Sequence, residues 1–416
     1  MATENKKYIP TLRFPEFQND GEWKRCKLSD VAVRKGKKNT KGIELPVYTN
    51  SATSGVISQE DYFDREIVTK ENLVNYGIIE PNDFVYNPRV SVTAPVGPIS
   101  RNKLSRGIMS PLYLIFGFNG GDINFFEHYF KGNSWHNYLR AKANYGARFD
   151  RINIGTKEFM DMPIPYPSLA EQKKIADCLS SLDKYIDATK RKLELLKEHK
   201  KGLMQRLFPA KGKTTPELRF PEFQNDGEWQ IVSLGEITSV VNRRNKSNRS
   251  LPIYSINNAE GFVPQSQQFA GMDSEARGYD ISAYKIIGKH TFAYNPARIN
   301  VGSIGYSGEL KDILISSLYV CFKTMDNVDD DFLMCFFNSY IFNQAVESNV
   351  EGGIRSYLFY ENFSRIKIAI PSLYEQKRIA SCITSIEDMI KQTNKQICLL
   401  ETHKNGLLQQ LFPKIK

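Results

Sequence analysis

The sequence lacks most of the short motifs that mark a metal or nucleotide site. Its six cysteines form no C-x-x-C pair and its five histidines form no H-E-x-x-H cluster, so we expect no metal site and predict buried, reduced thiols. No G-x-G occurs, which leaves no loop typical of dinucleotide or methyl-donor binding. No uninterrupted apolar run approaches about 18 residues, and the opening MATENKK has no apolar core. We therefore expect a cytoplasmic protein without a membrane partner.

The composition is that of a folded, basic protein. Of its 416 residues, 41% are hydrophobic and 12% aromatic, enough for well-packed cores. The formal net charge of +10 favours an anionic partner, with nucleic acid first.

The chain contains an internal duplication. Residues 12–23 and 218–229 both have the sequence LRFPEFQNDGEW, a period of 206 residues. Residues 167–176 match 371–380, and the tails 199–209 and 403–413 also correspond. A repeat of this length excludes a solenoid or propeller and indicates two related, domain-sized units.

Each unit ends in a segment with apolar residues at alternating steps of three and four. Such an a/d pattern predicts a long helix that needs a partner. Ser168 and Ser372, each with a glutamate three residues later, predict the helix starts, and Pro209 and Pro413 predict the ends. The apolar positions are Ile175, Leu179, Leu182, Ile186, Leu193, Leu196, Leu203 and Leu207 in the first copy, and Ile379, Ile383, Ile386, Ile390, Ile397, Leu400, Leu407 and Leu411 in the second.

The two seams have matching interruptions. Thr189 and Lys200 interrupt the first seam, and Thr393 and Lys404 interrupt the second at the same offset. We therefore expect two helices of about 40 residues, each about 60 Å long, that pair antiparallel with one another. The alternative is that each helix packs on its own globular domain.

The part of each unit before its helix predicts a mixed domain of strands, turns and a few helices. We expect strands at 112–116 and 318–322 and a helix at 330–346. The predicted fold class is α+β, with two pseudo-symmetric mixed domains at 1–166 and 213–370 and helical regions at 167–212 and 371–416. Only short islands correspond between the centres of the two domains, as expected if they bind two different targets.

Basic residues cluster in two loops at equivalent places. Residues 24–41 hold eight Lys or Arg against one acidic residue, and residues 243–249 read RRNKSNR. Flexible basic loops suit phosphate contacts and hydrogen bonds to base edges, although such a run can also be a merely solvated loop. A Tyr-Asn-Pro island follows each loop, at 86–88 and 294–296, without the second proline and aromatic residue of an adenine-N6 methyltransferase motif.

Together these motifs resemble the specificity (S) subunit of a type I restriction–modification system. The resemblance covers nearly the whole chain and rests on the W-x-x-x-x-L openings at Trp23 and Trp229, the Tyr-Asn-Pro islands, and above all the P-x-L-x-E-Q-x-x-I-A entry into both long helices. It implies two target recognition domains that each recognise half of a bipartite, asymmetric site in double-stranded DNA. It also implies paired helices that separate the half-sites and hold two methylation (M) subunits, with restriction (R) subunits as further partners.

The resemblance implies a subunit without catalytic residues or cofactors of its own, with S-adenosylmethionine and ATP/Mg expected on partner subunits. Lys190, Arg191 and Lys192 are candidates for contacts with those partners or with the DNA spacer. The alternative is a coiled-coil scaffold that joins two protein-binding domains and binds no DNA. The candidate DNA-binding residues are Arg34, Lys35, Lys37, Lys38, Lys41, Asn87, Arg89 and Arg148 in the first domain, and Arg243, Arg244, Lys246, Arg249, Asn295, Arg298 and Arg355 in the second. Asn87 and Asn295 can equally be residues that hold turns, and Arg148 and Arg355 can stack on the protein's own aromatic rings.

Overall fold

A computed structural model gives the fold and describes residues 8–62, 70–145, 150–258, 260–269, 271–349 and 357–414. The chain forms two compact units. The first comprises Met1–Lys190 with Lys395–Lys416, and the second comprises Arg191–Asn394. Within the described residues, no helix is both long and apolar enough to cross a membrane.

The first unit is built from short strands and helices. Its strands are β1 (Lys24–Lys27), β2 (Ala32–Arg34), β3 (Val47–Ser51), β4 (Gly55–Ser58), β5 (Gly77–Ile79), β6 (Phe84–Tyr86), β7 (Ile99–Arg101), β8 (Gly107–Met109), β9 (Leu114–Phe118), β10 (Asn144–Tyr145), β11 (Ile152–Asn153) and β12 (Pro163–Tyr166). Its helices are α1 (Leu28–Val31), α2 (Gln59–Tyr62), α3 (Ile123–Lys131), α4 (His136–Lys142), α5 (Thr156–Met160) and the first part of α6 (Leu169–Leu207).

Two four-stranded sheets form the body of the first unit. Their strand orders are β2-β9-β6-β7 and β4-β3-β8-β5, antiparallel throughout except for the parallel pair β3–β8. An aromatic core fills the space between the first sheet and α3, where Phe84 stacks on Phe116 with ring centroids 5.6 Å apart. Each such ring pair stabilises the fold by about 0.5–1.5 kcal/mol beyond the contribution of the apolar area that it buries. Strand β1 pairs with β12, directly before α6 begins.

The second unit repeats this plan. Its strands are β13 (Gln230–Ser233), β14 (Thr238–Val240), β15 (Ile253–Asn257), β16 (Gly261–Pro264), β17 (Lys285–Ile287), β18 (Phe292–Tyr294), β19 (Ile304–Tyr306), β20 (Ile313–Ile315), β21 (Val320–Thr324) and β22 (Lys367–Ile370). Its helices are α7 (Leu234–Ile237), α8 (Gln265–Gln268), α9 (Asp330–Phe337), α10 (Tyr340–Asn349), α11 (Tyr360–Arg365) and α12 (Leu373–Gln410), of which residues 395–410 belong to the first unit. The sheet orders β14-β21-β18-β19 and β16-β15-β20-β17 match those of the first unit, and β15–β20 is again the parallel pair.

The two long helices pair antiparallel within each unit, which confirms the predicted pairing. In the first unit, Asp183 of α6 pairs with Lys404 of α12, and Lys190 pairs with Glu401 at 2.6 Å. Later positions on α6 thus meet earlier positions on α12. In the second unit, Lys200 pairs with Glu387 at 2.6 Å.

The predicted seam residues line this pairing. Ile175, Leu179 and Ile186 are at most 5% exposed. Thr189 and Thr393 are also buried, and each hydroxyl donates to the carbonyl four residues earlier at 2.7 Å. A buried hydroxyl therefore interrupts the seam without leaving an unpaired polar group.

The duplicated LRFPEFQNDGEW segment holds the start of each long helix. Arg13 donates two hydrogen bonds to the Glu171 carboxylate at 2.7 and 2.8 Å. Arg219 binds Glu375 in the same way, with both distances 2.8 Å. All four side chains are nearly buried, the most exposed being Arg219 at 9%. The identical segments are therefore structural anchors.

The glutamine of the helix-entry motif ties the same helix to the domain. Gln172 donates to the Pro167 carbonyl at 2.9 Å and accepts from the Asp122 backbone N–H at 2.8 Å, directly before α3. The predicted helix starts are confirmed, since Ser168 Oγ accepts from the Glu171 N–H at 3.2 Å. The carboxylate of Glu171 is bonded to Arg13, so an ion pair replaces the other half of the predicted capping box.

Three local predictions need correction. The predicted strands begin two residues too early, because Leu112 and Leu318 lie in exposed turns before β9 and β21. The predicted helix 330–346 is two helices, since Ser339 Oγ accepts from the Phe342 N–H at 3.2 Å and starts α10. All six cysteines are free, but only Cys321 and Cys335 are buried, whereas Cys26, Cys178 and Cys382 are half-buried and Cys398 is exposed.

Candidate nucleic-acid interface

The first basic loop follows β2 and is held by backbone hydrogen bonds to both sheets. The Lys35 N–H donates to the Ile115 carbonyl at 2.8 Å, and the Lys37 carbonyl accepts from Ile78 at 2.9 Å. Gly36 lies between them with φ +82°, a left-handed conformation that favours glycine. The loop backbone is therefore fixed, while its side chains remain exposed.

The second basic loop has the same connections. The Val241 N–H donates to the Cys321 carbonyl at 2.8 Å, and the Arg243 carbonyl accepts from Ile286 at 2.7 Å. Positions 241, 243 and 321 lie 206 residues after 35, 37 and 115. The two units thus hold one loop conformation and present different side chains on it.

A buried asparagine closes each loop. Asn39 is 1% exposed and Asn245 is fully buried. Asn39 donates to the Ile43 carbonyl at 2.8 Å and accepts from its N–H at 3.0 Å. Asn245 forms the same pair of bonds with Arg249, at 3.0 and 2.9 Å. Sequence reasoning missed these two residues, although an asparagine shared at an offset of 206 within otherwise different loops was an available signal.

The cations of the first loop are mostly without acidic partners. Lys35 is the exception, because its ammonium group lies 2.7 Å from the Asp83 carboxylate, which is 2% exposed. Among the residues that the structure describes, the other candidates of this loop are exposed and have no ion-pair partner: Arg34, Lys37, Lys38 and Lys41. Their charges are available to an anion.

The second loop carries fewer available charges. Arg243 and Arg249 both face Asp312, at 3.9 and 3.3 Å. Arg244 and Lys246 are exposed and make no ion pair within the described ranges. One partly exposed carboxylate shared by two arginines leaves the loop positive, but less so than the first.

Both asparagines of the Tyr-Asn-Pro islands hold turns. The Asn87 side chain accepts from the Arg89 N–H at 3.0 Å and donates to the Asn50 carbonyl at 2.9 Å. The Asn295 side chain accepts from the Ala297 N–H, also at 3.0 Å. This geometry favours the alternative in which the asparagines position their neighbours rather than contact DNA themselves.

The arginines that follow these turns are exposed. Arg89 lies in an antiparallel bridge with Arg151, which places a second exposed cation beside it. Arg298 is exposed after the equivalent turn of the second unit. Sequence reasoning did not single out Arg151, since the bridge that pairs it with Arg89 has no local signal. Arg148 and Arg355 lie outside the described residues.

A separate group of charged residues in the first unit serves packing. The Glu127 carboxylate lies 3.3, 2.7 and 3.1 Å from Arg101, Lys103 and Lys131. Burial alone would raise the pKa of Glu127, but the three cations hold it below its usual value. Burial, with Lys131 nearby, lowers the pKa of His128 to about 4. Lys131 also lies 3.1 Å from Asp183 of α6, and the His128 ring lies 3.0 Å from the Ser180 hydroxyl. This group therefore links α3 to α6 and is not a base poised for catalysis.

The outward residues of α6 form another candidate surface. Lys190 is bound to Glu401, with about half of each side chain exposed, so its charge is partly neutralised. Arg191 and Lys192 follow it and are exposed. Among the residues that the structure describes, no group of three His, Cys, Asp or Glu side chains is suited to bind a metal ion.

Known proteins match this chain along most of its length. The type I restriction modification DNA specificity domain family matches residues 20–198 and 226–401. The putative type I restriction enzyme MjaX specificity subunit of Methanocaldococcus jannaschii is 26% identical over 299 residues, covering 68% of this chain and 65% of that protein. The MjaVIII specificity subunit of the same organism is 24% identical over 445 residues, covering 98% and 95%.

Two solved structures share the fold. The S subunit of a type I restriction–modification system from M. genitalium has a TM-score of 0.57 at 15% identity, over 98% of this chain and 100% of that one. The HsdS subunit from Thermoanaerobacter tengcongensis has a TM-score of 0.51 at 15% identity, over 94% and 96%. Since the specificity-domain family matches the chain twice and over well more than half of its length, the protein belongs to the type I restriction–modification specificity subunits, which are non-catalytic.

Proposed function

We propose that each unit recognises one half of a bipartite, asymmetric site in double-stranded DNA through its basic loop and the arginine after its Tyr-Asn-Pro turn. The observation that carries this proposal is the pair of loops with matching backbone hydrogen bonds and different exposed side chains. A fixed backbone positions side chains against base edges, and different side chains at equivalent positions select different bases.

The loops also supply the charge that DNA binding needs. Lys37, Lys38 and Lys41 are exposed without acidic partners among the described residues, as are Arg244 and Lys246. Each lysine or arginine that neutralises a phosphate steepens the dependence of affinity on salt by about 0.9 in the double-logarithmic slope. A first unit with more available cations would carry the larger share of that dependence.

In the same proposal, the paired helices α6 and α12 set the spacing of the half-sites and hold two methylation subunits, with restriction subunits joining the complex. S-adenosylmethionine and ATP/Mg would bind those partners. The exposed Arg191 and Lys192 are candidate contacts to a partner or to the DNA between the half-sites.

A methylation map tests the assignment of half-sites. The chain is co-expressed with its methylation subunit, and N6-methyladenine is mapped across the host genome. We expect one bipartite motif with two different halves. Exchange of residues 43–160 for those of another specificity subunit should change one half only. A change in both halves, or methyl transfer by the purified chain alone, would contradict the proposal.

Charge reversal distinguishes DNA recognition from a protein-binding scaffold. The variant K37E/K38E should lower DNA affinity and reduce the salt slope by up to about 1.8, because two phosphate contacts are lost. The control K142E/K157E makes the same change in net charge at exposed residues of the same unit outside the loop and should keep the slope. Equal DNA binding by K37E/K38E and the wild type would favour the scaffold.

A further inference from the structure

The two units differ at one position just before the duplicated segment. In the first unit, the Trp23 N–H donates to the Tyr8 carbonyl at 3.0 Å. In the second, the Trp229 N–H donates to the Thr214 carbonyl at 2.8 Å. Tyr8 and Thr214 are therefore structurally equivalent, but one has a large aromatic side chain and the other a small polar one.

Tyr8 fills a place in the core of the first unit. It is 5% exposed and belongs to the same buried cluster as Tyr129 of α3. The Arg25 guanidinium covers the ring at 4.6 Å from its centroid. Burial raises the pKa of Tyr8 to about 12. The ring thus belongs to the cluster that α3 forms with Leu411 and Phe412, and Arg25 of β1 covers it.

The equivalent place in the second unit is an open groove of about 420 Å³. The Thr214 hydroxyl turns away to donate to Glu228 at 2.8 Å. Ile231 occupies the position that Arg25 has in the first unit, 206 residues earlier. Phe336 occupies the position of Tyr129, because each lies seven residues after the aspartate that caps its helix, Asp329 in α9 and Asp122 in α3. The apolar lining includes Phe208, Ile231, Phe336, Ile341, Ile366 and Ile368.

The rim of this groove is positively charged. Lys211, Lys213 and Lys367 line it, are exposed, and have no ion-pair partner within the part of the chain that the structure describes. Arg365 also lines it and pairs with Glu361 at 3.0 Å. The apolar interior selects an aromatic or aliphatic side chain, and the rim selects acidic residues beside it.

We propose that this groove binds an aromatic side chain from an acidic peptide segment of another protein, which takes the place that Tyr8 has in the first unit. The first unit provides the template for the occupant, since an extended segment of this chain inserts one aromatic ring at the equivalent place. The rim lysines supply the charge complementarity. This partner site is separate from the basic loops assigned to DNA.

A peptide-binding experiment on the full chain tests the proposal. The probe is a fluorescein-labelled acidic hexapeptide, Asp-Glu-Tyr-Ile-Pro-Asp, whose centre copies residues 8–10, and binding is followed by anisotropy. We expect saturable binding by the wild type and binding at least tenfold weaker for the same peptide with alanine in place of tyrosine. Thr214→Tyr places a tyrosine at the position equivalent to Tyr8, so that the chain's own ring competes for the groove, and should weaken binding at least tenfold.

Two further variants separate the groove from general effects. Thr215→Tyr adds the same side chain at the next, exposed position, which corresponds to Ile9 rather than to Tyr8, and should bind within twofold of the wild type. The double variant K211E/K213E should weaken binding severalfold. Thermal unfolding of each variant, together with peptide binding by T215Y, shows that a loss in T214Y is not caused by misfolding.

Four results would overturn the proposal. They are no saturable binding by the wild type, equal binding of the tyrosine and alanine peptides, equal binding by T214Y and wild type, and displacement of the peptide from the groove by short duplex DNA. The last result would assign the rim lysines to the nucleic-acid interface instead.

Discussion

Removing one partner of the Arg13–Glu171 pair should destabilise the first unit far more than removing both. The Glu171 side chain is 1% exposed and that of Arg13 is 7% exposed. Arg13→Met leaves a buried carboxylate without its two charge-assisted hydrogen bonds, and Glu171→Leu leaves a buried guanidinium. Arg13 also donates to the Gly21 carbonyl at 2.7 Å, but that carbonyl lies in an exposed turn and can bind water instead.

The magnitude follows from the burial. Breaking a buried ion pair by removing one partner costs about 3–5 kcal/mol, whereas replacing both partners by apolar residues is often close to neutral. Each single variant should therefore increase local opening of the α6 start by roughly two to four orders of magnitude. The double variant should recover most of that loss.

Hydrogen exchange measured by mass spectrometry provides the assay, because it reports residues 169–176 and 373–380 separately. Arg13→Met should speed exchange in the first segment and leave the second, held by Arg219–Glu375, nearly unchanged. Glu16→Gln is the control, since it removes an exposed ion pair with Lys174 in the same segment, and such pairs contribute little. Single variants that exchange like the wild type, or a double variant whose loss equals both single losses added together, would refute this account.

Further predictions concern the loops, acid stability and thiol reactivity. Asn39→Ala should cost about 1–3 kcal/mol by removing the two hydrogen bonds that this buried side chain makes to the Ile43 backbone and should weaken recognition of one half-site. Asn245→Ala should affect the other half-site, and loss of both halves in either variant would contradict this. Stability of the first unit should fall as pH drops from about 6.5 to about 4, by about 1.4 kcal/mol per pH unit for each buried histidine, because the unfolded chain gains protons that His128 and His136, each with its pKa lowered to about 4 by burial, do not. His128→Gln should reduce this slope by about half, and an unchanged slope would count against the argument. Cys398 should react with a thiol reagent in the native protein, whereas Cys321, whose pKa burial raises to about 12, should react only on unfolding. Equal native rates would be inconsistent with the fold.

The sequence predicted the large elements because their signals are repeated and periodic. The seam of α6 and α12 gave both helices, their pairing and their ends. The role of Asn39 and Asn245 in closing the basic loops was not predictable in the same way. These side chains act through hydrogen bonds and packing that exist only in the folded protein. The strand starts were misplaced because Leu112 and Leu318 are apolar by type but lie in exposed turns, and local propensity does not reveal exposure.

The ion pairs of the helix seam also explain why the helices adopt one register. The Lys404 and Asp183 side chains are 19% and 24% exposed, and those of Lys200 and Glu387 are 28% and 34% exposed. Each pair holds the antiparallel register within its own unit, because a shift along α6 separates its two charges. An apolar seam alone would tolerate a shift by one heptad, since apolar positions recur every seven residues.

Charged interruptions remove that tolerance. A shift of seven residues in one direction would bring Lys404 opposite Lys190, and a shift in the other would bring it opposite Ala176. The first places like charges together, and the second leaves a largely buried ammonium group without a carboxylate, which is strongly destabilising. The duplicated interruption in the seam therefore fixes the register in which the two helices pair.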